Sequence, residues 1–217
     1  MHDFILEPEA VNADGMKCVN GFYFPGNDEE GSRSAFATLP HLDAALEFVK
    51  DFHICVQAGG NAGVWPKRLA KLFKVVYTFE PDPVNFGYLY LNVPDRNVYK
   101  FPAALGNEYG NVDMVRFPAN CGANYVQGGG YTPVMRIDDL CLPACGLIQL
   151  DVEGMELQAL MGARQTILNY RPVLMVEMKQ QGRRYGYEDE QLVEYIENLG
   201  YKEIAHHGRD HIYKWNL

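Results

Sequence analysis

Residues 53–83, HICVQAGGNAGVWPKRLAKLFKVVYTFEPDP, decide the fold. The apolar run Ile54-Cys55-Val56 opens the stretch as a buried parallel strand does. Gly59-Gly60-Asn61-Ala62-Gly63 then makes a glycine-rich turn. Val64, Trp65, Leu69, Leu72 and Phe73 recur at helical spacing, and a second apolar run, Val75 to Phe79, ends on Glu80. Strand, glycine turn, helix, strand and terminal acid describe a nucleotide-binding βαβ unit. Glycines let the backbone approach a ligand closely, and free N–H groups at a helix start favour an anionic group. Glu80, closing the second strand, is placed to accept hydrogen bonds from two ribose hydroxyls.

The turn narrows the nucleotide class. No register of AGGNAG supplies the three glycines of G-x-G-x-x-G, and Gly63 is followed by Val64-Trp65-Pro66 rather than the Lys-Ser/Thr pair of a P-loop. Gly59 to Gly63 does match the looser G-x-x-x-G of S-adenosylmethionine binders. The competing reading is a plain βαβ crossover that binds nothing. The candidate cofactor contacts are Gln57, Gly59, Gly60, Asn61 and Gly63 around the turn, then Glu80 and Pro81. Ala103, Ala104 and Asp151 join them; the small residues after a third strand either leave room for an adenine ring or make a tight strand-to-loop turn.

VQAGGNAG, FEPDPVNFGYLYLNV, RIDDL, LIQLDVEGMELQALMGARQTI and RPVLMVE, in that order, resemble the FkbM-type methyltransferase family. The resemblance covers roughly residues 52–178, and its paired FEPDP and DVEGME signatures are specific. It implies the class I S-adenosylmethionine-dependent methyltransferase fold and, as in most characterised members, O-methylation. The chain departs from the family pattern in two places: Gln57 stands where Asp is usual, and Gln149-Leu150-Asp151 where Lys-Ile-Asp is usual.

A chain of 217 residues suffices for one α/β sheet with helices on both faces, and 47% hydrophobic residues suit a folded globule. The expectation is a single domain over 1–217. Residues 1–50 form an N-terminal cap or extension, and residues 188–217 a helix with a closing antiparallel hairpin. The sheet should be doubly wound, mostly parallel and seven-stranded. A net charge of -9 disfavours broad contact with phosphate backbones, so nucleic acid is not the expected partner. Five cysteines without C-x-x-C suggest reduced thiols and a cytoplasmic protein, with Cys141 and Cys145 read as packing residues. Neither a membrane span nor a signal-peptide core is legible.

The remaining segments follow from pattern. Residues 1–27 read as irregular or a small hairpin, Asn27 to Gly31 as an exposed turn, and residues 42–52 as a helix, which in the fold that the resemblance implies would close over the methionine end of the cofactor. A helix through Phe86 and Val93 stops at Pro94, and Asn97 to Phe101 is a third strand. Residues 106–133 hold one short strand, Val112 to Phe117, and a long loop in which Asn120 and Asn124 face the pocket. Strands at 146–152 and 173–178 flank one helix ending at Arg171-Pro172. The basic, aromatic segment 180–187 reads as solvated, with contact to an acidic substrate the alternative, and residues 201–206 and 211–215 as the hairpin. His206, His207 and His211 fall on differing faces in that reading, so no metal site is expected there.

Three strand ends carry acids: Glu80, Asp151 and Glu177. Carboxylates there are costly to bury unless something pairs with them. Asp151 and Glu153 are the candidate catalytic residues, positioning an acceptor hydroxyl or taking its proton, and Glu156 reads as a helix cap. Asp138, Asp139 and Asp151 together leave a metal open. Three functions stay in view: O-methylation of a small molecule or sugar, methylation of a macromolecule, and a non-catalytic nucleotide-binding or interaction domain.

Overall fold

The computed structural model describes residues 10–12 and 15–216. Its organising element is a seven-stranded sheet of β1 (Ile54–Ala58), β2 (Val75–Phe79), β3 (Val98–Phe101), β4 (Leu147–Leu150), β5 (Val173–Glu177), β6 (Tyr201–His207) and β7 (Asp210–Trp215). In space the order is β6-β7-β5-β4-β1-β2-β3. Pairs from β5 through β4, β1 and β2 to β3 are parallel, whereas β7 runs antiparallel to both β5 and β6. The chain moves outward from β1 to β3 and then returns to β4, so the strand order reverses between β1 and β4.

The helices among the described residues are α1 (Gly31–Ala37), α2 (Leu39–Leu46), α3 (Val64–Ala70), α4 (Pro83–Asn92), α5 (Glu156–Met161), α6 (Arg164–Tyr170) and α7 (Asp189–Asn198). Side chains alternate across a strand, so each buried strand feeds two cores. Val56, Ile148 and Leu174 pack with Leu160, Ile167, Leu192 and Ile196 of α5 to α7. Cys55, Leu147 and Met175 pack on the other face with Phe36, Leu42, Leu69 and Leu89 of α1 to α4. None of these helices is long and apolar enough to cross a membrane.

Several expected boundaries move, each for a local reason. α3 stops at Ala70, where the Asn97 amide donates to the carbonyls of Ala70 and Phe73, and Leu72 is left exposed. The helix expected over 42–52 ends at Leu46, and α1 precedes it. The helix expected before Arg171 is two, broken at Gly162-Ala163. The Gly162 carbonyl accepts from Asp138 N–H, and the Asp138 carboxylate accepts from Gln165 N–H, Thr166 N–H and Thr166 Oγ1 at 2.8–2.9 Å, starting α6. Asp138 is therefore a helix cap and Asp139 pairs with Arg136, so neither joins Asp151.

The first 27 residues do form a small sheet over the described part, with Met16–Val19 between Ala10–Val11 and Phe22–Pro25. In the turn that follows, Asn27, Glu29 and Glu30 are exposed as expected, whereas Asp28 and Gly31 are buried. Asp28 is 2% exposed and its carboxylate accepts N–H groups from Gly31, Ser32 and Cys121, so it ties the start of α1 to a loop 93 residues away. Residues 106–133 carry more than one strand. Gly110–Val115, Tyr125–Gly128 and Thr132–Met135 form a third, four-stranded sheet with Ala104–Leu105. All five cysteines are free, Cys145 being buried as expected and Cys141 exposed in a left-handed turn.

Candidate active site

Two adjoining clefts open at the carboxyl ends of β1, β2, β4 and β5, where the strand order reverses. The first, of about 580 Å³, has apolar walls from Phe79, Ala103, Ala104, Leu105 and Val126 and a polar edge at Glu80, Asn124 and Asp151. The second, of about 930 Å³, lies between the sheet ends and α1, with Gln57, Gln149, Glu177 and Lys179 on its walls. Gly59, Asn61, Gly122, Asp151 and Glu153 border both.

Glu80 closes β2 as expected and is 5% exposed. Its Oε2 accepts Asn61 N–H at 2.6 Å and its Oε1 accepts Asp82 N–H at 2.8 Å, so each oxygen keeps a lone pair toward the cleft. Burial raises this carboxyl to about 7. Asn61, at φ 45°, turns the backbone so that its N–H reaches Glu80. The fully buried Asp82 caps α4 through Val84 N–H and accepts from Arg116 Nε and Asn124 Nδ2. It thereby draws the 116–124 loop onto the cleft rim. Asn120 lines the second cleft and Asn124 the first, both with side chains engaged in the loop's own hydrogen bonds.

The glycine turn is constrained by protein packing. A Cβ on Gly59, at φ 86°, would lie 2.0 Å from the Asp151 carbonyl oxygen. On Gly63 it would meet Val93 at 2.5 Å, and Gly63 borders neither cleft. Its left-handed φ of 94° instead lets α3 start close against α4.

Gln57 lines the second cleft with both ends of its amide engaged: Nε2 donates to the Gly59 carbonyl, and Oε1 accepts a short hydrogen bond from Thr78 Oγ1. Gln149 is its register partner on β4. The two departures from the family pattern are thus neighbours, and exchanging an acid and a lysine for two amides leaves that buried pair neutral. Gln149 is 0% exposed like Gln57, but neither of its side-chain polar atoms is hydrogen-bonded, and Asp151 Oδ1 and Glu153 Oε2 likewise lack a hydrogen-bond partner.

Asp151, Glu153 and Glu177 converge, with carboxylate oxygens within 4.8 Å of one another. Lys179 Nζ sits among them, 2.5 Å from Glu177, 2.7 Å from Glu153 and 3.7 Å from Asp151. Burial alone would lower the Lys179 ammonium, but the three carboxylates outweigh it and hold it protonated. Burial and then Asp151 push both Glu153 and Glu177 upward. Sequence reasoning missed Lys179, although Glu-x-Lys at the end of an apolar strand was its visible signal. Glu153 adopts φ 55°, a left-handed strain for a non-glycine that is common at functional sites.

The segment expected to be solvated packs over this site. Tyr185 OH donates to the Val126 carbonyl, Arg184 donates to the Glu153 carbonyl, and its guanidinium lies 4.2 Å over the Tyr125 ring. Glu156 is structural: Oε1 accepts N–H groups of Val152 and Gly154. The single Tyr187 hydroxyl proton serves the Gly154 carbonyl at 2.7 Å, so its 3.2 Å contact with Glu156 Oε2 is completed by a proton on Glu156. Burial indeed lifts that carboxyl from 4.5 to about 7.

The sign of the linkage follows. Between those values the folded state keeps a proton that the unfolded state has lost, so the stabilisation is full below the lower value and lost as pH rises through the upper one. Urea unfolding is expected to show stability falling by about 1–3 kcal/mol per such glutamate from pH ~4.5 to ~7.5. Glu156→Gln should remove its share of that slope, leaving the share of Glu80. An unchanged slope in Glu156→Gln would contradict the assignment.

The arrangement suits a nucleoside joined to a polar tail. An apolar slot with a buried carboxylate at its edge leads into a chamber whose orphaned polar atoms await partners. The Methyltransferase FkbM domain family matches residues 57–203, more than half of the chain. Among solved structures, an FkbM methyltransferase from Methylobacillus flagellatus KT is 22% identical with a TM-score of 0.53, covering 76% of this chain but only 44% of that one. TYW2 of M. jannaschii in complex with AdoMet shares 14% identity at a TM-score of 0.47, covering 93% of this chain and 86% of that one. Precorrin-6y C5,15-methyltransferase from Geobacter metallireducens GS-15 shares 15% at 0.49, covering 85% and 88%. No curated protein matches the chain. The chain belongs to the FkbM methyltransferase family.

Proposed function

We propose that this chain transfers the methyl group of S-adenosylmethionine to a hydroxyl oxygen of a small molecule or sugar. The observation that carries this reading is the pair of adjoining clefts, one shaped for adenosine and one lined with carboxylates, meeting at Asp151 and Glu153. A doubly wound sheet takes ligands outside its carboxyl strand ends at the switch point, and both clefts lie there. Bound S-adenosylmethionine supplies a sulfonium-activated methyl group for direct displacement. Glu80 would accept the ribose hydroxyls, Pro81, Ala103 and Ala104 would border the adenine, and Gly59, Gly60, Asn61 and Gln57 stand toward the methionine end. Asp151, with one oxygen free of hydrogen bonds, would orient the acceptor hydroxyl and take its proton, with Glu153 behind it. Lys179 would keep the three acids together without a metal ligand set of its own.

A hydroxyl-rich acceptor fits because the orphaned chamber atoms are mostly acceptors: Asp151 Oδ1, Glu153 Oε2 and Gln149 Oε1. The net charge of -9 sets a nucleic-acid acceptor behind a neutral one. The reading is tested by calorimetry with S-adenosylhomocysteine. Removing a charged acceptor of two hydroxyls costs about 1.5–3 kcal/mol, so Glu80→Ala should bind about 10- to 100-fold more weakly than wild type. Near-UV circular dichroism must confirm the variant folded, since Asn61 and Asp82 N–H groups lose their acceptor too. Equal affinity in a folded Glu80→Ala would place the ribose elsewhere, and no binding by wild type would sink the methyltransferase reading.

A further inference from the structure

His206 and His211, expected on differing faces, share one. They are register partners across the β6–β7 hairpin, with ring centroids 5.5 Å apart. Glu203 lies three residues before His206 on β6, and in a regular strand an odd separation would send its side chain to the opposite face. The register shift between Glu203 and Ala205 re-aims it. As a result Glu203 Oε1 stands 3.1 Å from Nδ1 of His206 and 3.1 Å from Nδ1 of His211. Two ligands bound at about 2.1 Å around a tetrahedral ion stand roughly 3.4 Å apart, so these separations are within a few tenths of an ångström of a coordination edge. Among the described residues, Glu203 forms ion pairs with these two histidines only.

We propose that Glu203, His206 and His211 form a binding site for a divalent transition-metal ion, with zinc the best match. Two neutral imidazole nitrogens and one carboxylate oxygen are a zinc donor set, with the fourth position open to water because His206 is largely solvent-exposed. Cation entry is favoured by the groove beside His211, which Asp189, Glu190, Glu194 and Glu197 of α7 line. The ion would cross-link β6 to β7 beside the turn that carries Arg209 and Asp210 into the second cleft, where Asp210 also holds His41 at 2.7 Å. The site is separate from Asp151, Glu153 and Glu177, whose cation is Lys179, so it stands whether or not the methyl acceptor is a hydroxyl.

The test is zinc titration of the chelator-stripped full chain by calorimetry, with cobalt absorption as a report on imidazole coordination. One ion per chain is expected at micromolar affinity or tighter, with a rise in melting temperature. His206→Ala and His211→Ala should each weaken binding at least about tenfold and abolish that rise. Both replacements are at the hairpin surface, and calorimetric unfolding without metal checks that each variant folds as wild type does. Absence of stoichiometric binding overturns the proposal. So does binding that survives the double variant, which would place the ion elsewhere, for example on the Asp151 cluster.

Discussion

Gly59→Ala is expected not to accumulate as a folded protein. The added Cβ would lie 2.0 Å from the Asp151 carbonyl oxygen, which is backbone of the neighbouring strand and cannot rotate away. Left-handed strain adds about 1–2 kcal/mol to that overlap. The combined penalty, at least about 4 kcal/mol, approaches the whole stability of a typical domain, about 5–15 kcal/mol. Gly129→Ala separates the two contributions, since Gly129 has φ 90° but nothing within 4 Å of its Cβ position. It should cost only the strain, about 1–2 kcal/mol. Soluble Gly59→Ala with a wild-type urea midpoint would mean that β1 and β4 do not approach as described.

Asp151→Asn is expected to lose turnover by about 10²–10⁴-fold while binding S-adenosylhomocysteine nearly as wild type does. The substitution keeps volume, and Asp151 Oδ1 forfeits its 3.7 Å ion pair with Lys179 but no hydrogen bond, so the loss of turnover falls on the acceptor's proton and position. Its cluster also gains: one fewer negative charge stands among Glu153 and Glu177, both already pushed toward their protonated forms by burial and by Asp151. That gain opposes the loss of one of the three counter-charges of Lys179, so thermal stability should change little. Measurement needs single-turnover methylation with any hydroxyl acceptor identified by labelled methyl transfer. Retained turnover within a few fold would make Asp151 structural and move the role to Glu153.

The acids show how far strand-end reading reaches. Glu80, Asp151 and Glu177 each end an apolar run, and the parallel pairing of β2, β1, β4 and β5 brings those ends to one edge. Which of them touch is not local information. Asp138 and Asp139 looked equally available and are consumed by the start of α6 and by Arg136. Lys179, two residues beyond Glu177, reaches three carboxylates only because β4 and β5 lie side by side.

By itself the sequence determined the βαβ unit, the parallel strands and the acid at the end of β2, because hydrophobic period, glycine and strand-end position are properties of a few consecutive residues. It also determined the family, through FEPDP and DVEGME. Only the tertiary structure decided what those residues do to one another. Gly59 is held glycine by the Asp151 carbonyl, and Gln57 and Gln149 form one neutral pair. Asp28 is a buried clasp, and a single bulge brings Glu203 to two histidines. Each of these turns on a distance or register between segments remote in the chain or paired across strands, and pattern within one segment carries no record of either.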